Sequence, residues 1–223
     1  MSCKKVQALI ESEKLIILFR RVPIDKLADT ARALVRGGIR ILEITFDQDV
    51  FDPNALFKES VQRIREAVGE ELCIGAGTVL NEAQVQAAYD VGAEFIVSPN
   101  TKKSVVELTK KLGMFSAPGA MTPTEIVDAW DYGADMVKLF PADDLGYHYI
   151  WNIRGPLPHI PMMATGGVNQ ETIPKFLDCG INCVGTGISV VNREMLAAED
   201  YEGIERLARE HVAVVEKYIS NKS

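Results

Sequence analysis

The chain has 223 residues, 47% hydrophobic and 25% charged, and carries a net charge of −7. That profile fits an ordinary globular chain with a sizeable core, and the mildly acidic balance argues against a nucleic-acid or anionic-membrane partner. No apolar run is long enough to span a bilayer. The charged opening MSCKKVQALIESEK has no signal-peptide core, so a cytoplasmic location is expected.

In chain order, SCKKVQALIESEK (2–14) reads as an extra N-terminal helix. The apolar runs LIILFR (15–20), RILEITF (40–46) and CIGAGT (73–78) read as strands. FIVSP (95–99), FSAPG (115–119), DMVKLF (135–140), MMATG (162–166) and CVGTG (183–187) continue the series. Amphipathic stretches lie between them, among them 23–38, 81–93 and 122–134, with Asn81 and Thr122 as caps and glycines at their ends. The tail 201–220 reads as the last barrel helix. Continuously apolar strands alternating with helices imply a parallel sheet covered on both faces. Eight such units fit a single (β/α)8 TIM barrel over 1–223, with no linker and no GxGxxG fingerprint to argue for an open sheet.

Side chains alternate across a strand. Met136, Lys138 and Phe140 share one face, as do Ile41, Glu43 and Thr45, and Ile16, Leu18 and Arg20. Thr78 is expected on the barrel face with Ala76 and Ile74. In each strand the polar residue would then point into the barrel near its C-terminal end, where barrel enzymes keep their chemistry. One inward charge alone reads as a paired interior ion, and a Glu43–Lys138 salt bridge would serve that reading. Four polar groups aimed at one volume read as a site, because buried charge is costly unless compensated.

A desolvated lysine near another cation loses proton affinity and can form a Schiff base with a carbonyl substrate. Glu43 fits as the base beside it and Arg20 as the cation for a keto-acid carboxylate. TGGVN (165–169) and GTGIS (185–189) end strands 7 and 8 of the expected barrel, where glycine turns often hold phosphate. Cys3, Cys73, Cys179 and Cys183 form no CxxC pair and no metal-ligand cluster, so they read as small buried hydrophobes in a reducing cytosol.

The stretches LEITF (42–46), IGAGTV (74–79), EFIVSPN (94–100), PGAMTPTE (118–125), VKLFPA (137–142) and TGGVN (165–169) together resemble the 2-keto-3-deoxy-6-phosphogluconate (KDPG) / 4-hydroxy-2-oxoglutarate (KHG) aldolase family. The resemblance implies a class I aldolase on a (β/α)8 barrel, a homotrimer with no metal or organic cofactor. It would cleave 2-dehydro-3-deoxy-6-phosphogluconate or a similar keto-deoxy acid, or 4-hydroxy-2-oxoglutarate, to pyruvate and an aldehyde. By position, Lys138 matches the Schiff-base lysine and Glu43 the general acid/base. Thr78 matches the threonine beside the pyruvoyl carboxylate, and Pro99 and Phe140 match the pocket walls. Thr165, Gly166 and Gly167 match part of the phosphate end, and the glycine turn after strand 8 adds Gly185 and Thr186 as phosphate-binding candidates.

Three departures stand out. Asp47 occupies a position where many members carry arginine, and Arg20 resembles the variant that supplies it from strand 1. Gly187 stands where many members carry serine, leaving Thr186 and Ser189 as candidate hydroxyls. The 47–60 stretch is longer and more acidic than the resemblance leads one to expect. Two other readings stay open at this level. One is a phosphate-binding epimerase or isomerase barrel in which Lys138 only binds charge, and the other is a non-catalytic barrel that binds sugar acids.

Overall fold

The computed structural model describes residues 1–222. Among them, nine strands form one parallel sheet: β1 (Leu15–Phe19), β2 (Ile41–Thr45), β3 (Cys73–Gly77), β4 (Phe95–Val97), β5 (Phe115–Ala117), β6 (Gly119–Ala120), β7 (Val137–Leu139), β8 (Met162–Thr165) and β9 (Cys183–Thr186). Their order is β5-β4-β3-β2-β1-β9-β8-β7-β6. The two outermost, β5 and β6, are halves of the single strand expected at 115–119. Pro118 divides them, since its ring has no N–H to give to a ladder. The two ends of the sheet meet there. Met136 N donates to Ser116 O at 3.2 Å and Lys138 N to Pro118 O at 2.8 Å, so the sheet closes as an eight-position barrel.

Helices α1 (Cys3–Glu13), α2 (Leu27–Arg36), α3 (Pro53–Val68), α4 (Glu82–Asp90), α5 (Lys103–Lys111) and α6 (Pro123–Asp131) come from the first half of the chain. They are followed by α7 (Ala142–Leu145), α8 (Tyr147–Arg154), α9 (Ile173–Asp178), α10 (Arg193–Ala198) and α11 (Tyr201–Ser220). Asn81 caps α4, and Thr122 with Glu125 forms a capping box on α6, so two expected helix starts are met by side-chain acceptors. No helix among the described residues is long and apolar enough to cross a membrane.

Alternation along the strands builds two cores. Ile17, Phe19, Leu42, Ile44, Val137 and Leu139 face the helices. Ile16, Ile41, Phe95, Phe115, Met136 and Met163 fill the barrel, and Val6 and Ile10 of α1 close its N-terminal end. The expected facing holds for β1, β2 and β7 and fails for β3. Ile74 and Ala76 lie in the outer core, while Cys73 lies in the inner one. The glycines explain the reversal. A Cβ on Gly75 would overlap the Phe95 ring and one on Gly77 would overlap Glu43, so these two must face inward where space is shortest.

Candidate active site

The sequence places a lysine in the middle of β7 and a glutamate in the middle of β2, and the barrel buries both. Glu43 is 0% exposed and Lys138 3%. Neither Glu43 oxygen has a hydrogen-bond partner, and no ion pair joins Glu43 to Lys138 among the described residues, so the salt bridge that would serve the paired-ion reading is absent. The Lys138 ammonium instead lies 5.0 Å from the centre of the Phe140 ring, a cation–π contact at the C-terminal end of β7. Gly77 is the seat of the Glu43 carboxylate, because any side chain there would occupy its space.

Burial is the main cause of both pKa shifts. It lowers that of Lys138, with Arg20 adding to the effect and Glu43 opposing it. It raises that of Glu43, against the pull of Lys138 and Arg20. Both shifts run toward the uncharged pair, a free amine beside a carboxylic acid. An amine of that kind is a nucleophile, and an acid of that kind can give a proton to a leaving oxygen.

Arg20 follows β1 on the face of Ile16 and is exposed, without a hydrogen-bond or ion-pair partner among the described residues. Asp47 does not face it. Asp47 Oδ2 pairs with Arg21 Nε at 3.2 Å, and Asp49 also binds the Arg21 guanidinium. Arg21 itself has a left-handed backbone, φ +55°. The acidic stretch after β2 is therefore occupied with the neighbour of Arg20, and Arg20 remains available to an anion.

Thr78 does not belong to the inward face of β3. It lies one residue beyond the strand with φ +56°, an outlying conformation for a β-branched residue and one that re-aims the chain at the barrel mouth. Its carbonyl accepts from Gln48 Nε2 at 3.0 Å, and Gln48 Oε1 in turn accepts from Gln84 Nε2 at 3.0 Å. Pro99 follows β4, and its carbonyl packs so closely on Gly119 that no Cβ fits there.

At the end of β8, Thr165 shares the inward face of Met163 and is 7% exposed, and its hydroxyl has no partner. A Cβ on Gly185 would stand 2.9 Å from that hydroxyl. Gly166 and Gly167 follow with φ +105° and +65°. Thr186 departs from expectation. It shares the face of Val184, which packs in the outer core, and its hydroxyl donates to Val168 O at 2.8 Å. Ser189 Oγ lies 2.6 Å from Thr186 Oγ1 and must be the donor to it, so both candidate hydroxyls are spent within the protein. Gly187 cannot be replaced cheaply by serine, because its Cβ would stand 2.7 Å from Leu18 O.

Sequence reading missed several contributors. Gly77 left a signal, since glycine inside a strand marks a close approach. Gln84 and Asp143 left none, because their neighbours come from distant segments. A cavity lined by Phe19, Ile44 and Phe57 lies between the sheet and the helices, outside the barrel.

A closed parallel barrel with a buried amine and a buried carboxyl on its inward strand faces has the architecture of a barrel enzyme. The sequence profile described as KDPG and KHG aldolase matches residues 6–207, and the chain belongs to that family. The 2-dehydro-3-deoxy-6-phosphogalactonate aldolase of Escherichia coli K12 is 31% identical, with 92% of this chain and 94% of that protein covered. The KHG/KDPG aldolase of the same strain is 32% identical over 82% of this chain and 83% of its own. A solved structure described as native KDPGal superposes with a TM-score of 0.82 at 28% identity, covering 92% of this chain and 96% of that one.

Proposed function

We propose that this single-domain barrel is a class I aldolase that cleaves a 2-keto-3-deoxy sugar acid, or an acid of the 4-hydroxy-2-oxoglutarate type, to pyruvate and an aldehyde. The observation that carries this reading is the buried, unbonded Lys138 with its lowered proton affinity beside the equally buried Glu43. The free amine of Lys138 adds to the C2 carbonyl. The C2 oxygen takes one proton from the added amine and a second from the Glu43 acid and leaves as water, which gives an iminium. Glu43, now a carboxylate, accepts the C4 hydroxyl proton as the C3–C4 bond breaks. The bonding pair moves into the iminium to form an enamine, and the C4 end departs as the aldehyde. C3 then recovers a proton from Glu43, and water hydrolyses the iminium to pyruvate and the free amine, the released proton returning to Glu43. Arg20 holds the C1 carboxylate, with Thr78 beside it, and Phe140 and Pro99 wall the reacting carbons.

Within this reading the enzyme works in the cytoplasm as a homotrimer, the assembly its family resemblance implies. The chemical proposal is tested by pyruvate release from 2-keto-3-deoxy acids. Glu43→Gln should lower kcat by about 10²–10⁴-fold while the variant stays folded. A Gln variant with wild-type kcat would reduce Glu43 to a structural neighbour of Lys138.

A further inference from the structure

We infer that Asp47, Gln48 and Asp49 form a positioning bridge across the barrel mouth, which fixes the spacing of Arg20 and Thr78, the two groups that take the substrate's C1 carboxylate. This rests on the aldolase reading above and adds residues to it. In the sheet, β2 lies between β1 and β3, so the loop leaving β2 can reach the ends of both neighbours. It does so by alternation. Asp47 and Asp49 turn to the β1 side, where both bind the Arg21 guanidinium, Asp47 through Nε and Nη2 at 3.2 Å each. Gln48, between them, turns to the β3 side, where its Nε2 donates to Thr78 O at 3.0 Å. The loop is itself stiffened. Asp49 N donates to Asp47 Oδ1 at 3.1 Å, and Gln84 Nε2 donates to Gln48 Oε1 at 3.0 Å.

The two residues so held share an unusual backbone. Arg21 has φ +55° and Thr78 φ +56°, a left-handed conformation that is costly for an L-residue and persists where the surroundings enforce it. Arg21 follows Arg20 directly, so holding its turn holds the stem from which the Arg20 guanidinium reaches the site. Arg20 is exposed and has no partner among the described residues, yet it acts on the charges of both Lys138 and Glu43. A long side chain loses freedom when it binds an anion, and a fixed stem reduces that cost. The bridge also accounts for the acid at position 47. An arginine there would meet the like charge of Arg21, whereas Asp47 engages Arg21 and leaves Arg20 to the substrate.

The test separates geometry from charge. Asp47→Asn keeps the acceptor for Asp49 N and removes a negative charge from the mouth, so the field alone would tighten carboxylate binding. The bridge predicts the opposite. KM for a 2-keto-3-deoxy acid should rise by about two- to fivefold, the range of an exposed ion pair, with kcat nearly unchanged. The pyruvate concentration for half-maximal borohydride trapping on Lys138 should rise by the same factor, because pyruvate carries the same carboxylate. Gln48→Ala should raise both values from the β3 side. A KM that falls or stays fixed in Asp47→Asn, or that rises without a matching change in pyruvate trapping, overturns the inference and leaves the aldolase reading standing. If the wild-type protein gives neither pyruvate release nor an adduct on Lys138, the aldolase reading itself falls, and the bridge falls with it.

Discussion

At the scale of single residues, Lys138, Glu43 and Arg20 form a coupled set whose charges can be read through one titration. An imine on Lys138 requires the free amine, and its lowered pKa lets that amine persist below the ordinary 10.5. The rate of imine formation with pyruvate should therefore rise through a midpoint below 10.5. Arg20→Ala removes a cation that lowers the lysine's proton affinity, so its midpoint should move to higher pH. Glu43→Gln removes a carboxylate that raises it, so its midpoint should move to lower pH. The midpoint is independent of how much either variant slows the reaction, and shifts of the same sign in both would break the assignment. Lys138 and Glu43 were legible in the sequence because a charge amid buried strand residues is costly and therefore visible. The fate of Asp47 was not legible, since a sequence position does not say which of two adjacent arginines a carboxylate will meet.

At the scale of elements, alternation predicted the facing of β1, β2 and β7 and failed for β3. The rule that the larger apolar set packs on the helices holds there too, but Ile74 and Ala76 were assigned to the face of Thr78. The two inward glycines carry no side chain to vote with, and the left-handed turn at Thr78 breaks the alternation just past the strand. What fixes that turn is a clasp between loops. Gln84, 3% exposed, holds Leu80 N at 2.7 Å and Gln48, which holds Thr78 O. Gln84→Ala removes the hydrogen bonds to Leu80 N and Gln48 and should lower the unfolding free energy by about 0.5–1.5 kcal/mol. Because Thr78 loses its support, KM for the keto acid should rise several-fold with a smaller change in kcat. Steady-state kinetics alongside urea unfolding would reveal a purely structural clasp as a loss of stability with KM unchanged.

At the scale of the whole molecule, the sealed end of the barrel and the proposed site lie apart. Helix α1 seals the N-terminal end with Val6 and Ile10, 0% and 1% exposed, against Ile16, Phe95 and Met136. Ile10→Ala should lower the unfolding free energy by about 2–5 kcal/mol and leave kcat nearly unchanged, as judged by urea titration and pyruvate release on one preparation. The barrel and its extra helix were legible from the alternation of elements. The closure through Pro118 and the spent hydroxyls of Thr186 and Ser189 depend on contacts between distant segments. The claim beneath all of this is that Lys138 is the nucleophile, and reduction of its imine tests that most directly. Incubation with pyruvate and borohydride, then digestion and mass spectrometry, should place one reduced pyruvate adduct on the peptide containing VKLFPA. Protein that remains unmodified there, or an adduct on another lysine, would contradict it.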